Sequence, residues 1–144
     1  MPDFRRVTDG FSVAPQISEA DMPLAAAAGF TTVIVNRPDR EDPGQMPMAA
    51  ARAAAEASGM AFIAIPVSGA PSREAVVATA AAIAAASGPI LAYCRSGTRS
   101  VTLWALATAQ AGRLSTTDIL AAARGSGYDL TAHAAALEAL QSGA

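Results

Sequence analysis

The chain has 144 residues, of which 52% are hydrophobic and 15% charged, with a formal net charge of −2. That is long enough for a single domain, residues 1–144, with a proper core, and too apolar for a disordered chain. No basic block or aromatic-basic stripe occurs, which argues against a nucleic-acid binder.

The opening stretch MPDFRR lacks the apolar run of a signal peptide. Weak strand signals follow at Arg5–Thr8 and Phe11–Val13, around an Asp9-Gly10 turn. Ser18 and Asp21 read as a capping-box variant opening a helix that stops at Gly29. Phe30–Val35 is short, apolar and β-branched, as expected of a strand buried on both faces. A polar turn runs from Asn36 to Gln45, Pro47 starts a helix ending near Gly59, and Met60–Ile65 is a second buried strand. Ser72 caps a helix to about Ser87, and Gly88-Pro89 leads into the strand Ile90–Tyr93. A helix is predicted from about Ser100 to Ala111, closed by Gly112, with two more at about Thr116–Arg124 and Thr131–Gln141. The Ala-rich segment Ala75–Ala86 is too short to cross a bilayer and follows charged Arg73 and Glu74.

Strands alternating with helices predict an α/β fold: a central, mostly parallel sheet of about four to five strands with helices on both faces. Ligands of such sheets bind beyond the carboxyl ends of the strands. Three connections leave from that edge: Asn36–Gln45, Pro66–Ser72 and Cys94–Arg99.

The last of these contains the only cysteine, which excludes an intrachain disulfide. With no membrane segment predicted, a soluble, reducing, cytoplasmic setting is expected. Backbone N–H groups of a strand-loop-helix turn can form an anion cradle, and the following helix aims its partially positive N-terminus at the same point. Cys94 stands there, so its thiolate is favoured and its pKa falls below the free value of about 8.5. Gly97 supplies the freedom a tight loop needs, and Arg99 offers a planar fork of donors for an oxyanion. A lone cysteine is otherwise a small core residue. Glycine, arginine and a helix start within six residues point instead to a reactive thiol.

The stretch Cys94-Arg95-Ser96-Gly97-Thr98-Arg99 resembles the Cys-Arg-x-Gly-x-Arg loop of rhodanese-type sulfurtransferases, with four residues between cysteine and arginine. Tyrosine phosphatases place five there, and the position of their arginine holds Ser100 in this chain. In these families the longer ring embraces phosphate, and the shorter one suits a sulfur carried on cysteine. The segments SVAPQIS, VIVNRPDRED and AIPVSG, in that order before the loop, resemble the phosphatase-like domain of bacterial β-lactamase-hydrolase-like proteins over about Phe11–Gly112. That resemblance implies a tyrosine/dual-specificity-phosphatase-like fold, and several members carry the short sulfurtransferase loop. Some are fused to a zinc-hydrolase-like persulfide dioxygenase, which implies a partner of that type. This chain has no ligands for such a zinc site, with His133 its only histidine. Dual-specificity phosphatases usually carry an acid aspartate after the strand that ends here in Ile65-Pro66-Val67; Ser68, Gly69 and Ala70 follow instead.

Arg37 and Asp39 lie on the charged turn, either as solvated charge or as a second loop shaping the site. Asp39, Glu41 or Asp42 offers the carboxyl a phosphatase would need. Arg95, Ser96, Gly97, Thr98 and Ser100 are expected to bind the anion with Arg99. Tyr93 and Trp104 read as packing residues, and His133 as structural or surface-facing.

The reading that follows is a cofactor-free, metal-free sulfurtransferase. Cys94 takes the outer sulfur of thiosulfate or a low-molecular-weight persulfide such as glutathione persulfide. With no second cysteine, the Cys94 persulfide passes to an external acceptor such as glutathione, sulfite or cyanide. The alternative is a cysteine-dependent phosphatase working through a Cys94 phosphoenzyme. The third possibility is a non-catalytic oxyanion-sensing or partner-binding module.

Overall fold

Thr32–Val35 and Ile90–Tyr93 are buried at every position, so side chains leaving both faces of these strands need cover. The computed structural model, which describes residues 2–143, supplies it from helices on each side. The elements are β1 (Arg5–Thr8), β2 (Phe11–Ala14), α1 (Asp21–Ala27), β3 (Thr32–Val35), α2 (Met48–Ala57), β4 (Ala61–Ala64), α3 (Arg73–Ala85), β5 (Ile90–Tyr93), α4 (Thr98–Gln110), α5 (Thr116–Gly125), a 3-10 turn (Thr131–His133) and α6 (Ala134–Gln141). The strands form one sheet in the order β1-β2-β5-β3-β4, antiparallel only between β1 and β2.

Side-chain alternation divides each strand between two cores. Val33, Val35, Leu91 and Tyr93 face one way, onto Met22 and Ala25 of α1 and Ala51 and Ala55 of α2. Ile34, Ile90 and Ala92 face the other way, onto α4. Helix α4 is buried at every residue from Ser100 to Ala109 because the sheet, α3, α5 and α6 all pack on it. Leu103 is 1% exposed there, and truncating it to alanine would cost about 2–5 kcal/mol. Trp104 packs in the same core against Phe11, and Tyr93 in the opposite one, as predicted.

The register brings four strand ends into line. Tyr93 stands opposite both Ala14 and Val35, and Val35 opposite Ala64. The residue after Tyr93 is Cys94, at the carboxyl edge of the central strand, beside the point where neighbouring strands β3 and β5 lead into helices on opposite faces, α2 on one and α4 on the other.

Several predicted boundaries move. Ser18 does not cap α1: Ala20 holds the N-cap position with no side-chain bond, and only the return half of the box forms, with Asp21 Oδ2 accepting from the Ser18 N–H at 2.9 Å. β3 begins at Thr32, because Phe30 turns out of line to meet Phe4 edge-on at 5.7 Å. α4 starts at Thr98, two residues early, so that Gly97 rather than Arg99 precedes it. The last predicted helix is split, with a 3-10 turn before α6. Ser72 and Ser115 cap as their residue types require, each accepting an N–H three residues on at 3.1 Å. Among the described residues no helix is long and apolar enough to cross a membrane, and no group of three or more His, Cys, Asp or Glu is placed to hold a metal ion.

Candidate active site

Cys94 leaves β5 with its N–H bonded to Ala14 O at 3.3 Å, while Asn36 N–H bonds Tyr93 O at 2.8 Å. The strands on either side thus hold the base of the loop. The thiol is fully buried. The Gly97 N–H donates to Cys94 Sγ at 3.0 Å. Burial works against the thiolate, but the N–H groups of Ser100, Ser96, Arg99 and Gly97 outweigh it and lower the pKa. These are the inward donors expected of the cradle. Gly97 has φ +92°, which turns the chain into α4 at that point.

The loop carbonyls point away from the sulfur because outer groups bind them. Gln16 N–H donates to Arg95 O at 3.2 Å, and Tyr128 Oη donates to Ser96 O at 2.8 Å. Ser96 Oγ and Thr98 Oγ1 pair at 3.0 Å on the exposed rim of the loop. Ser100 is buried in the first turn of α4 with its Oγ unpartnered, while its N–H favours the Cys94 thiolate.

Arg99 is clamped rather than free. Its Nη1 donates to Glu41 Oε2 at 2.8 Å and Val67 O at 2.7 Å, and its Nη2 to Glu41 Oε1 at 2.8 Å. This bidentate pairing raises the Arg99 pKa, burial opposes it, and the nearby Cys94 charge adds to it. Arg95 behaves differently: its side chain is 71% exposed and approaches Asp42 at 3.4 Å.

The second loop is a hub built on Arg37, whose side chain is 3% exposed. It bonds Glu41 Oε1 at 2.8 Å, Gln16 Oε1 at 2.9 Å and the Asp42 carboxylate. Asn36 Nδ2 ties the same turn to Ile65 O at 3.0 Å. Asp39 stands apart, its Oδ1 accepting from the Met48 N–H at 2.8 Å at the start of α2.

The carboxyls read as possible acids are therefore all engaged. The Glu41 pKa falls from 4.5 to about 2, chiefly through its bond to Arg99, with burial opposing and Arg37 adding to it. Asp42 pairs with Arg37 and Arg95, and Asp39 caps a helix. His133 lies nearer the site than its place in the sequence suggested. It lines a cavity of about 240 Å³ with Gly69, Ala70, Pro71, Thr98, Arg99 and Thr102. Sequence reasoning missed Tyr128, Gln16 and the Val67 carbonyl, since nothing in their local spacing marks a contact made across the fold.

This geometry sits on a known scaffold. A family described as beta-lactamase hydrolase-like protein, phosphatase-like domain, matches residues 3–112. A beta-lactamase hydrolase-like protein of Agrobacterium fabrum is 40% identical over 128 residues, 88% of this chain and 30% of that protein. One of Xylella fastidiosa is 38% identical over 106 residues, 73% of this chain and 25% of that protein. The chain thus spans under a third of the length of these relatives. A proposed phosphatase from Neisseria meningitidis superposes with a TM-score of 0.84 at 29% identity, over 97% of this chain and 99% of that one. The active form of Tk-PTP gives 0.71 at 21% identity, over 98% and 97%, a likeness of fold alone. The fold is of the tyrosine/dual-specificity-phosphatase type, as the resemblance implied. These similarities lie with phosphatases rather than sulfurtransferases and favour the alternative function over the one expected from loop length. With a family match over residues 3–112 and relatives at 38–40% identity, the chain belongs to the phosphatase-like domain family of the beta-lactamase hydrolase-like proteins.

Proposed function

We propose that the domain is a cysteine-dependent phosphatase acting on small phosphate esters or anhydrides whose leaving group departs as a stable anion. The observation that carries this is the Gly97 N–H donating to Cys94 Sγ at 3.0 Å at the head of α4, where the Ser100, Ser96 and Arg99 N–H groups also favour the thiolate. Donors that hold a thiolate also face the non-bridging oxygens of a phosphoryl group brought to that sulfur. In the first step Cys94 Sγ attacks phosphorus, forming the S–P bond, and the P–O bond breaks with the electron pair leaving on oxygen. Water then attacks the phosphocysteine, releasing inorganic phosphate and restoring the thiolate. The family and the phosphatase fold support this reading. The engaged Glu41, Asp39 and Asp42 support the limit on leaving group, because a basic alkoxide would need a proton that none of them offers.

One observation favours a second reading, sulfur transfer: only four residues separate Cys94 from Arg99, which makes a small ring. Here Cys94 attacks the outer sulfur of thiosulfate, the S–S bond to the sulfonate breaks, and sulfite leaves with the electron pair. The persulfide then passes to a thiol acceptor. Incubating the protein with p-nitrophenyl phosphate, and separately with thiosulfate, tests both. Nitrophenolate release that disappears in Cys94→Ser supports the phosphatase. A gain of about 32 Da on Cys94 without ester turnover replaces it with the sulfurtransferase. Neither result would leave an anion-binding module.

A further inference from the structure

The peptide unit joining Ser96 to Gly97 is gripped from both sides. Its N–H donates to Cys94 Sγ at 3.0 Å, and its carbonyl oxygen accepts from Tyr128 Oη at 2.8 Å. A trans peptide is planar, with C=O and N–H pointing in opposite directions. Whatever fixes the oxygen outward therefore fixes the N–H inward.

Tyr128 has only one place to send its proton. Arg5 Nη1 lies 2.9 Å from Oη and can only donate. Oη accepts from Arg5 and so donates to Ser96 O. The phenol is 8% exposed, and burial together with the Cys94 charge raises its pKa against the opposing pull of Arg5, which keeps it a donor. The fit to the loop is close: a Cβ placed on Gly97 would lie 2.0 Å from Tyr128 Oη. Tyr128 also lies beyond residues 3–112, the part of the chain that the family covers.

We propose that Tyr128 is a positioning residue for Cys94: it locks the Ser96–Gly97 peptide so that its N–H faces the sulfur, and Arg5 commits the tyrosine proton to that task. Without the lock this peptide is free to rotate, and its oxygen would then oppose the thiolate. The neighbouring Arg95–Ser96 peptide is pinned separately by the Gln16 N–H, so one donor is placed under the control of Tyr128. The inference rests on reading Cys94 as a thiolate nucleophile and is independent of which electrophile it attacks.

The test is a pH titration of the single thiol by thiolate ultraviolet absorbance, taken as a difference from Cys94→Ser, which suits a buried sulfur. Tyr128→Phe keeps the ring and removes the hydroxyl. Its inflection moves upward, and below the native inflection its thiolate fraction falls at least about threefold, part of the worth of one hydrogen bond to a charged group. Arg5→Met moves the inflection the same way by less, and adding it to Tyr128→Phe changes nothing further. A folded Tyr128→Phe with the native inflection overturns the proposal, as does full additivity of the two changes. If Tyr128→Phe does not fold, an unmoved inflection in Arg5→Met overturns it. A native inflection in the ordinary cysteine range is a different result, which removes the nucleophile reading itself.

Discussion

Glu41 and Arg99 meet fork to fork although 58 residues separate them, with two N–H···O bonds of 2.8 Å. The same carboxylate accepts from Arg37 Nε at 2.8 Å, so one acidic residue joins the Asn36–Gln45 turn to the cysteine loop. Arg99 is thereby held by a charged partner and by Val67 O before any ligand arrives. Its planar guanidinium is oriented in advance, which is how a fork of donors loses little freedom on binding an oxyanion.

This pairing makes stability depend on pH in one direction. The folded Glu41 pKa, about 2, lies below its ordinary 4.5, so its contribution is complete above about 4.5 and is lost as pH falls through the folded value. The Tm of the native protein should fall on acidification between about pH 5 and 2, and Glu41→Gln should flatten that fall. Parallel curves for the two proteins would mean the pair contributes nothing.

Arg99→Lys should reduce kcat/KM at least about tenfold, equivalent to roughly 1.4 kcal/mol of transition-state stabilisation. Lysine keeps the charge but cannot span Glu41 and Val67 O as a planar fork. Arg95→Lys, at a side chain 71% exposed, should stay within about twofold. Equal losses at the two positions would contradict the organising role of Arg99.

The Cys94 thiol should titrate below the ordinary cysteine range, because four backbone N–H groups outweigh its burial. Catalysis by the thiolate then persists below the titration range of an ordinary cysteine and fades as pH falls through that inflection. Ultraviolet titration against Cys94→Ser measures it, and coincidence with free cysteine would show that the N–H cradle does not stabilise the anion.

Asp39→Ala should cost about 1 kcal/mol of stability by removing the acceptor for the Met48 N–H, with the Cys94 inflection unchanged. Denaturant unfolding and thiol titration read the two effects separately. A shift in the thiol would place Asp39 in the site after all.

Loop length has its own test. Inserting one residue between Gly97 and Arg99 widens the ring of donors and should raise nitrophenyl phosphate turnover relative to persulfide loading. Separate assays of the two reactions on the same preparation give the ratio. A ratio that falls would show that the short ring is itself the phosphate-binding form.

Much of the fold was legible because the relevant forces act locally. The β-branched run Thr32–Val35 and the apolar run Ile90–Tyr93 read as interior strands, and Ser72 caps a helix through an atom three residues away. The cradle around Cys94 was legible for the same reason, since its donors come from the six residues that follow the sulfur. The sequence by itself therefore determined where the thiol stands and why it is acidic. It did not decide what Arg37, Asp39 and Glu41 do, because a carboxylate within reach of two guanidinium groups looks the same in a sequence as one in solvent. Only the fold sends Asp39 to a helix start and Glu41 to Arg99. Nor could local spacing show Tyr128 on the loop 32 residues away, braced by Arg5 from a distance of 123 residues. Those contacts exist because packing β1 and α5 around the central strand brings them together, and the chain entropy spent in closing such long separations leaves no local pattern to read.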